Sequence, residues 1–330
     1  MPIKDTDYLT ISTRIRAMEN RLLTRERMGR MLDARDNAEA AKVLTECGYG
    51  ELSSLTPAGL EELLGEAQRH TYADLTSMVP DHNLVDVFRI KYDYHNAKVL
   101  LKAEAMGTDP ARLLSGGGRY APNLLREAYA KGELKNCTDT FRAAVQHAKE
   151  SLAASGDPQL ADFILDRAYY EELIAAAKES ESEFLMGYVR LSIDVSNLRS
   201  VVRAGRMRKG PDFLREVLVS GGNVSERDLA ALKEGDLANK FRGGLLAEAA
   251  VIGAPLMSGG GDLTAFERLC DNAIVAYLST AKRVAFGEAP VVAYLYAKEA
   301  ELTAVRILLM GRLAGLDAGI IRERLRDSYV

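Results

Sequence analysis

The residues point to an all-α protein built from three similar helical domains, for three reasons. Ala, Leu, Glu, Arg and Lys dominate, and no stretch sustains the period-two alternation of a half-buried strand. Three strings run from an apolar doublet, through a glycine-bearing or helix-capping stretch, into a short helix that closes on Gly-acid-Leu. They are MLDARDNAEAAKVLTECGYGEL (31–52), LLSGGGRYAPNLLREAYAKGEL (113–134) and VLVSGGNVSERDLAALKEGDL (217–237). A longer string, FRIKYDYHNAKVLLKA (88–103), aligns without gaps on VRLSIDVSNLRSVVRA (189–204), placing Arg89 on Arg190, Asp93 on Asp194, Asn96 on Asn197 and Ala103 on Ala204. Such self-similarity marks one structural unit used several times.

Taken in order, the elements follow the repeat. The N-terminal RLLTRERMG (21–29) matches VLLKAEAMG (99–107) and reads as a copy of the long helix. A Gly-acid-Leu helix and a connecting hairpin follow, and the series recurs at 88–103 and 189–204. YAKEAELTAVRILLMG (296–311) closes the chain as a worn copy that keeps Glu301 in the acid position and Arg306 in the basic one. The first repeat is short: 42 residues separate the acid of its Gly-acid-Leu motif from the acid of the next long helix, against 61 and 65 in the others. A helix or long connection has therefore been lost or gained there. Breaks at Gly107 to Pro110 and at AGRMRKGP (204–211) set the expected domains at 1–107, 108–209 and 210–330. The glycine runs at 115–118, 220–222 and 258–262 are expected to be tight helix connections with Ser or Asp as N-caps.

On the second long helix Lys91, His95, Lys98 and Lys102 are spaced four, three and four, so they form one polar stripe, replaced in the next copy by Ser192, Ser196, Arg199 and Arg203. A second line, Arg89, Asp93 and Asn96, recurs as Arg190, Asp194 and Asn197, with Arg and Asp at pairing distance along one face.

Composition excludes several classes of function. A net charge of −4 over 330 residues argues against general nucleic-acid binding. Cys47, Cys137 and Cys270 are widely spaced, without a CxxC pair, which suits a reduced cytosolic protein. MPIKDTDYLTI lacks the apolar core of a signal peptide, and the most apolar run, LLAEAAVIGAPLM (245–257), falls far short of the roughly 20 residues of a spanning helix. Work at a membrane would require another protein that spans it.

Candidate chemistry is sparse, and no catalytic, cofactor-binding or metal-binding residue is expected. There is no GxxxxGK[ST] phosphate loop. Asp162 and Asp166 form a DxxxD pair that could hold Mg²⁺ for a diphosphate, but Glu267 and Asp271 occupy corresponding positions 105 residues later. An acid at a repeated slot is more simply an exposed helix face. His70, His82, His95 and His147 show no ligand spacing. Tyr169 to Glu172 with Glu179, Glu181 and Glu183 reads as a solvated acidic run or a docking surface for a basic partner. Arg203, Arg206, Arg208 and Lys209 make a basic cluster at the second domain boundary, and with Arg199 they are the expected partner contacts.

The segments YLTISTRIRAMENRLLTRERMGRMLDA, VFRIKYDYHNAKVLLKA, FLMGYVRLSIDVSNLRSVVRAGRM and PVVAYLYAKEAELTAVRILLMGRLAGL span residues 8 to about 316 and resemble a known family. It is the C subunit of the bacterial and archaeal V-type (A-type) rotary ATPases and ATP synthases, related to the d subunit of eukaryotic V-ATPases. The resemblance implies a funnel of three domains about a pseudo-threefold axis and a non-catalytic rotor role without a cofactor. The implied partners are the membrane proteolipid ring, the central-stalk shaft and its small companion, on the cytoplasmic face of the membrane. Torque would pass between ATP chemistry and proton or sodium movement. The competing expectations are a generic helical scaffold for another protein and an all-α Mg²⁺-dependent diphosphate enzyme.

Overall fold

The computed structural model describes residues 3–50, 55–232 and 235–330, and all regular structure among them is helical. The α-helices are α1 (Leu9–Glu19), α2 (Arg25–Asp33), α3 (Asn37–Glu46), α4 (Pro57–Thr76), α5 (Asn83–Met106), α6 (Pro122–Lys131), α7 (Asp139–Ser155) and α8 (Pro158–Glu179). They continue as α9 (Glu183–Arg206), α10 (Pro211–Val217), α11 (Glu226–Ala230), α12 (Leu237–Lys240), α13 (Ala247–Leu256), α14 (Thr264–Leu278), α15 (Glu288–Leu313) and α16 (Ala318–Arg324). None of the described helices is long and apolar enough to cross a membrane.

Local chemistry explains where the hairpin helices start. Thr56 accepts a hydrogen bond from the Gly59 N–H and Asp157 from the Gln159 N–H, and each is followed by proline at the first helical position. Both devices satisfy or remove N–H groups that an α-helix start leaves unpaired. At the other end, Gly132 of the second Gly-acid-Leu motif takes a left-handed conformation (φ 68°) and stops α6, while Leu134 turns inward. In the first copy α3 ends earlier, at Glu46, and Glu51 and Leu52 lie outside the described residues. In the third, Gly235 (φ 89°) precedes α12 and Leu237 is buried.

The chain divides into two compact units, His82–Val189 and a second made of Met1–Asp81 with Arg190–Val330. In the first, α7 and α8 form the hairpin, and α8 packs along α5. Tyr94 on α5 meets Phe141 on α7 edge-on, with ring centroids 5.2 Å apart. In the second, α15 is apolar on almost every side and packs against α1, α2, α3, α4, α14 and α16. Leu23, Met31, Leu44, Leu60 and Leu64 share one core with Val305, Leu308 and Leu309. Arg312 on α15 donates to the carbonyls of Leu32 and Ala34, each at 2.8 Å, at the end of α2. Residues 47–56, which join α3 to α4, are too few for a helix the length of α7, and this accounts for the short first repeat.

RLLTRERMG (21–29), expected to be a copy of the long helix, instead straddles the break between α1 and α2, whereas α5, α9 and α15 are each fastened by a buried acid to an irregular segment. On α5, Asp93 Oδ1 accepts the N–H groups of Arg119 (2.8 Å) and Tyr120 (3.3 Å), and Oδ2 meets Arg119 Nε at 2.6 Å. On α9, Asp194 accepts the N–H groups of Asn223 (3.1 Å) and Val224 (3.0 Å) and the Asn223 amide (2.8 Å). On α15, Glu301 accepts the Leu23 N–H (2.5 Å), the Tyr49 hydroxyl (2.6 Å) and Lys298 Nζ (2.6 Å). One turn on, Asn96 brackets the Ser115 backbone, donating to its carbonyl at 2.9 Å and accepting its N–H at 2.7 Å. Asn197 does the same to Val219, at 2.7 and 2.9 Å. The worn copy carries Ala304 at that slot.

The line Arg89, Asp93, Asn96 is thus used differently from the expected pairing along one helix. Arg89 pairs with Asp86 and donates to the Gly118 carbonyl, while Asp93 takes Arg119 from the loop. The glycine runs also have a sharper role than chain reversal. A Cβ on Gly118 would stand 2.3 Å from Asp93 Oδ1, and one on Gly222 would stand 2.3 Å from Asp194 Oδ1. Neither glycine has a positive φ, so close approach to the carboxylate, and not backbone freedom, requires glycine there. Gly118→Ala and Gly222→Ala should each lose about 2 kcal/mol or more of stability, by overpacking plus a displaced carboxylate. Gly132→Ala, which meets nothing within 4 Å, should lose only the roughly 1 kcal/mol of its left-handed backbone. Urea unfolding of the three variants measures the order.

Candidate functional site

The candidate partner contacts lie on the second half of α9 and the turn after it. Arg199, Arg203 and Arg206 stand four and three residues apart and share one face. Arg199 is half-buried, with Nε 2.5 Å from Glu267 Oε2 and Nη2 2.7 Å from Asp271 Oδ1, both on α14. Arg203 reaches Glu267 at 2.6 Å with more than half of its side chain in solvent. Arg206 donates to the carbonyls of Gly260 (2.9 Å) and Gly261 (3.0 Å), holding the glycine run before α14. Arg208 and Lys209 are exposed, and Lys209 Nζ lies 5.4 Å from the centre of the Phe213 ring.

The same rungs recur on α5. Lys98 pairs with Asp166 at 2.6 Å and Lys102 with Asp162 at 2.8 Å. The DxxxD pair is therefore half of a ladder of ion pairs, with a lysine on each carboxylate, and Glu267 and Asp271 form its counterpart. On α15 one rung survives, Arg306 with Glu61 of α4 at 2.6 Å. The polar stripe of the long helix is where the hairpin attaches. His95 belongs to it too, with Nε2 3.0 Å from the Leu113 carbonyl oxygen. Among the described residues no three His, Cys, Asp or Glu side chains converge as a metal site would need.

Helix α9 ends with an unusual residue. Its chain reversal places Arg208 at φ 55°, with the Arg208 N–H on the Gly205 carbonyl and the Lys209 N–H on the Ala204 carbonyl. Glycine commonly fills such a position, and an L side chain there costs about 1 kcal/mol. Three arginines near the carbonyl end of the helix are favourable with its dipole. The strain therefore presents a cation at the end of a helix whose last three arginines, Arg199, Arg203 and Arg206, are held by α14 and its loop.

Two residues of consequence, Glu172 and Arg119, carry no clear signal in the sequence. Glu172 sits within the acidic run expected to be solvated, yet it is buried, 3.1 Å from Arg119 Nη2 and 2.5 Å from Thr138 Oγ1. Arg119 joins Asp93 and Glu172 into one buried network. The only hint of it is a basic residue directly after a glycine run, which is too common to be decisive. Burial pushes the Asp93 carboxyl up to about 6, although Arg119 and the two N–H groups pull the other way. Burial likewise raises Asp194 against its three hydrogen bonds. It also pushes the thiols of Cys47 and Cys137 up to about 11 and that of Cys270 to about 12, leaving little thiolate at neutral pH.

The folded Asp93 carboxyl keeps its proton to higher pH than an unfolded one. Its contribution to stability is therefore fully present below 3.8 and is lost as pH rises through about 6. The margin of the parent over Asp93→Asn, read from urea midpoints, should narrow across that window and stay flat above it. For the ladder, Arg199→Met should cost about 2 kcal/mol by stripping a half-buried cation from two carboxylates, a value discounted for partial exposure. Arg203→Met should cost under about 1 kcal/mol, as an exposed pair does. Equal losses in thermal unfolding would refute that ranking.

A family model described as ATP synthase (C/AC39) subunit matches residues 11–324. The chain is 22% identical to the V-type sodium ATPase C subunit of Enterococcus hirae, covering 98% of this chain and 99% of that protein. It is 26% identical to the V-type ATP synthase C subunit of Thermus thermophilus, covering 98% of both. Identity to the A-type ATP synthase C subunit of Methanosarcina mazei is 25%, covering 97% of this chain and 93% of that one. Because the match covers residues 11–324 and so takes in all three stapled helices, α5, α9 and α15, the chain belongs to the ATP synthase (C/AC39) subunit family.

Proposed function

We propose that this protein is a non-catalytic rotor subunit of a V/A-type rotary ATPase. In this reading it rests on the membrane proteolipid ring at the cytoplasmic face, receives the foot of the central shaft with its small companion, and passes torque for proton or sodium transport. The observation that carries the proposal is the family match across residues 11–324. The stapled helices support it physically. An element that transmits torque must not shear, and each long helix is cross-braced by a buried carboxylate and by ion pairs to its hairpin. The acids that suggested an enzyme serve as these braces.

The proposal includes three similar domains, 1–107, 108–209 and 210–330, about a pseudo-threefold axis. It places Arg203, Arg208 and Lys209, whose charges reach solvent, against an acidic partner, with Arg199 and Arg206 fixing the end of α9 behind them. The strained backbone of Arg208 favours this assignment, since strain of this kind gathers at functional positions. Native co-purification tests the role: the proteolipid ring and the shaft should accompany the chain, and a lone soluble oligomer would overturn it. Arg208→Gln with Lys209→Gln should then weaken shaft capture at least tenfold while costing under about 1 kcal/mol of stability, and undiminished capture would remove those residues from the interface.

A further inference from the structure

A cleft of about 1080 Å³ opens in the unit made of Met1–Asp81 and Arg190–Val330, walled by α2, α14, α16 and the segment after α16. Its floor is apolar, with Met28 and Leu32 from α2 and Leu269 and Val275 from α14. Its rim is cationic. Arg25 on α2 is exposed and makes no hydrogen bond or ion pair with the described residues. Arg268 on α14 is half-buried and equally unpartnered, which is uncommon for a guanidinium withdrawn from water. Among the described residues Arg322 on α16 pairs only with Asp33, at 3.6 Å, and most of its side chain is in solvent. Arg326 is already satisfied by Asp271 at 2.6 Å. Against these, the lining acids are the exposed Glu323 and Asp327.

We infer that this cleft is a docking groove for an acidic amphipathic helix of a partner protein. An apolar floor between helical walls takes one face of an incoming helix. Carboxylates flanking that face would meet Arg25, Arg268 and Arg322, and planar guanidiniums suit such pairs. The cleft is open to solvent and its volume slightly exceeds that of ordinary small-molecule pockets, so a helix face fills it better than a phosphate-sized anion. The inference does not rest on the rotor role or on the cluster at the end of α9.

The test is fluorescence anisotropy of the full chain with a labelled model peptide. The peptide is a helix of about five turns, with leucines on one face and glutamates beside them. Binding should be saturable and weaken as salt is raised. It should fall at least tenfold in Arg268→Glu and in Arg25→Glu, the second being an exposed and unpartnered site that cannot compromise folding. It should be unchanged in Arg215→Glu on α10, which does not line the cleft. A peptide with lysine for each glutamate should not bind. Absence of saturable binding, equal loss in Arg215→Glu, or equal binding of the lysine peptide overturns the inference. Charge-dependent binding to vesicles containing anionic lipid, with none to the peptide, also overturns it and assigns the cleft to a membrane surface.

Discussion

A carboxylate on a long helix, withdrawn from water, takes the N–H groups of an irregular segment laid across it, and the remaining contacts of the fold are arranged around that attachment. Burying a charge is expensive, and the cost is offset here because each oxygen receives donors that would otherwise be unpaired. The exchange satisfies two needs together, since the loop gains acceptors and the carboxylate gains a solvation shell made of protein. It also fixes where the loop crosses the helix. Asparagine one turn further on repeats the device with a neutral amide, giving α5 and α9 two points of attachment each.

The three versions solve the charge problem differently. Asp93 has a cation, Arg119, which also serves Glu172. Asp194 has hydrogen bonds and no cation among the described residues. Glu301 uses a longer side chain to reach one N–H, a phenol and the lysine one turn before it on its own helix. The copies share geometry and differ in electrostatics, so one unit repeated in sequence need not respond uniformly to pH or to a partner. The ladders between long helix and hairpin vary likewise, with lysine rungs on α5, arginine rungs on α9 and one rung on α15.

This bracing bears on the proposed rotor role through stiffness. Packed apolar helices alone resist separation better than sliding, because the hydrophobic effect has no direction. Hydrogen bonds and ion pairs have preferred geometry and resist sliding. A unit that fastens its long helix both to a loop and to a hairpin is built to turn as a piece. The strained Arg208 and Arg268, which has no partner among the described residues, stand outside that bracing, which is why they are the positions where partners are proposed.

The helical class, the repeated long helices, the short first copy and the slots of the braces are all legible in the order of residues. Spacing alone aligns Asp93, Asp194 and Glu301, and likewise Asp162 and Asp166 with Glu267 and Asp271, because a gapless helical repeat preserves faces. What spacing cannot supply is the partner across space. That Asp93 meets Arg119, and that Glu172 is buried amid exposed acids, emerges only once the helices are packed. The same holds for Gly118 and Gly222, small so as to admit a carboxylate, and for α15, which shares its core with Leu23 and with residues of α2, α3 and α4. Each of these depends on which surfaces meet, a long-range outcome of packing. The repeat pattern, being local and periodic, records only which faces are available to meet.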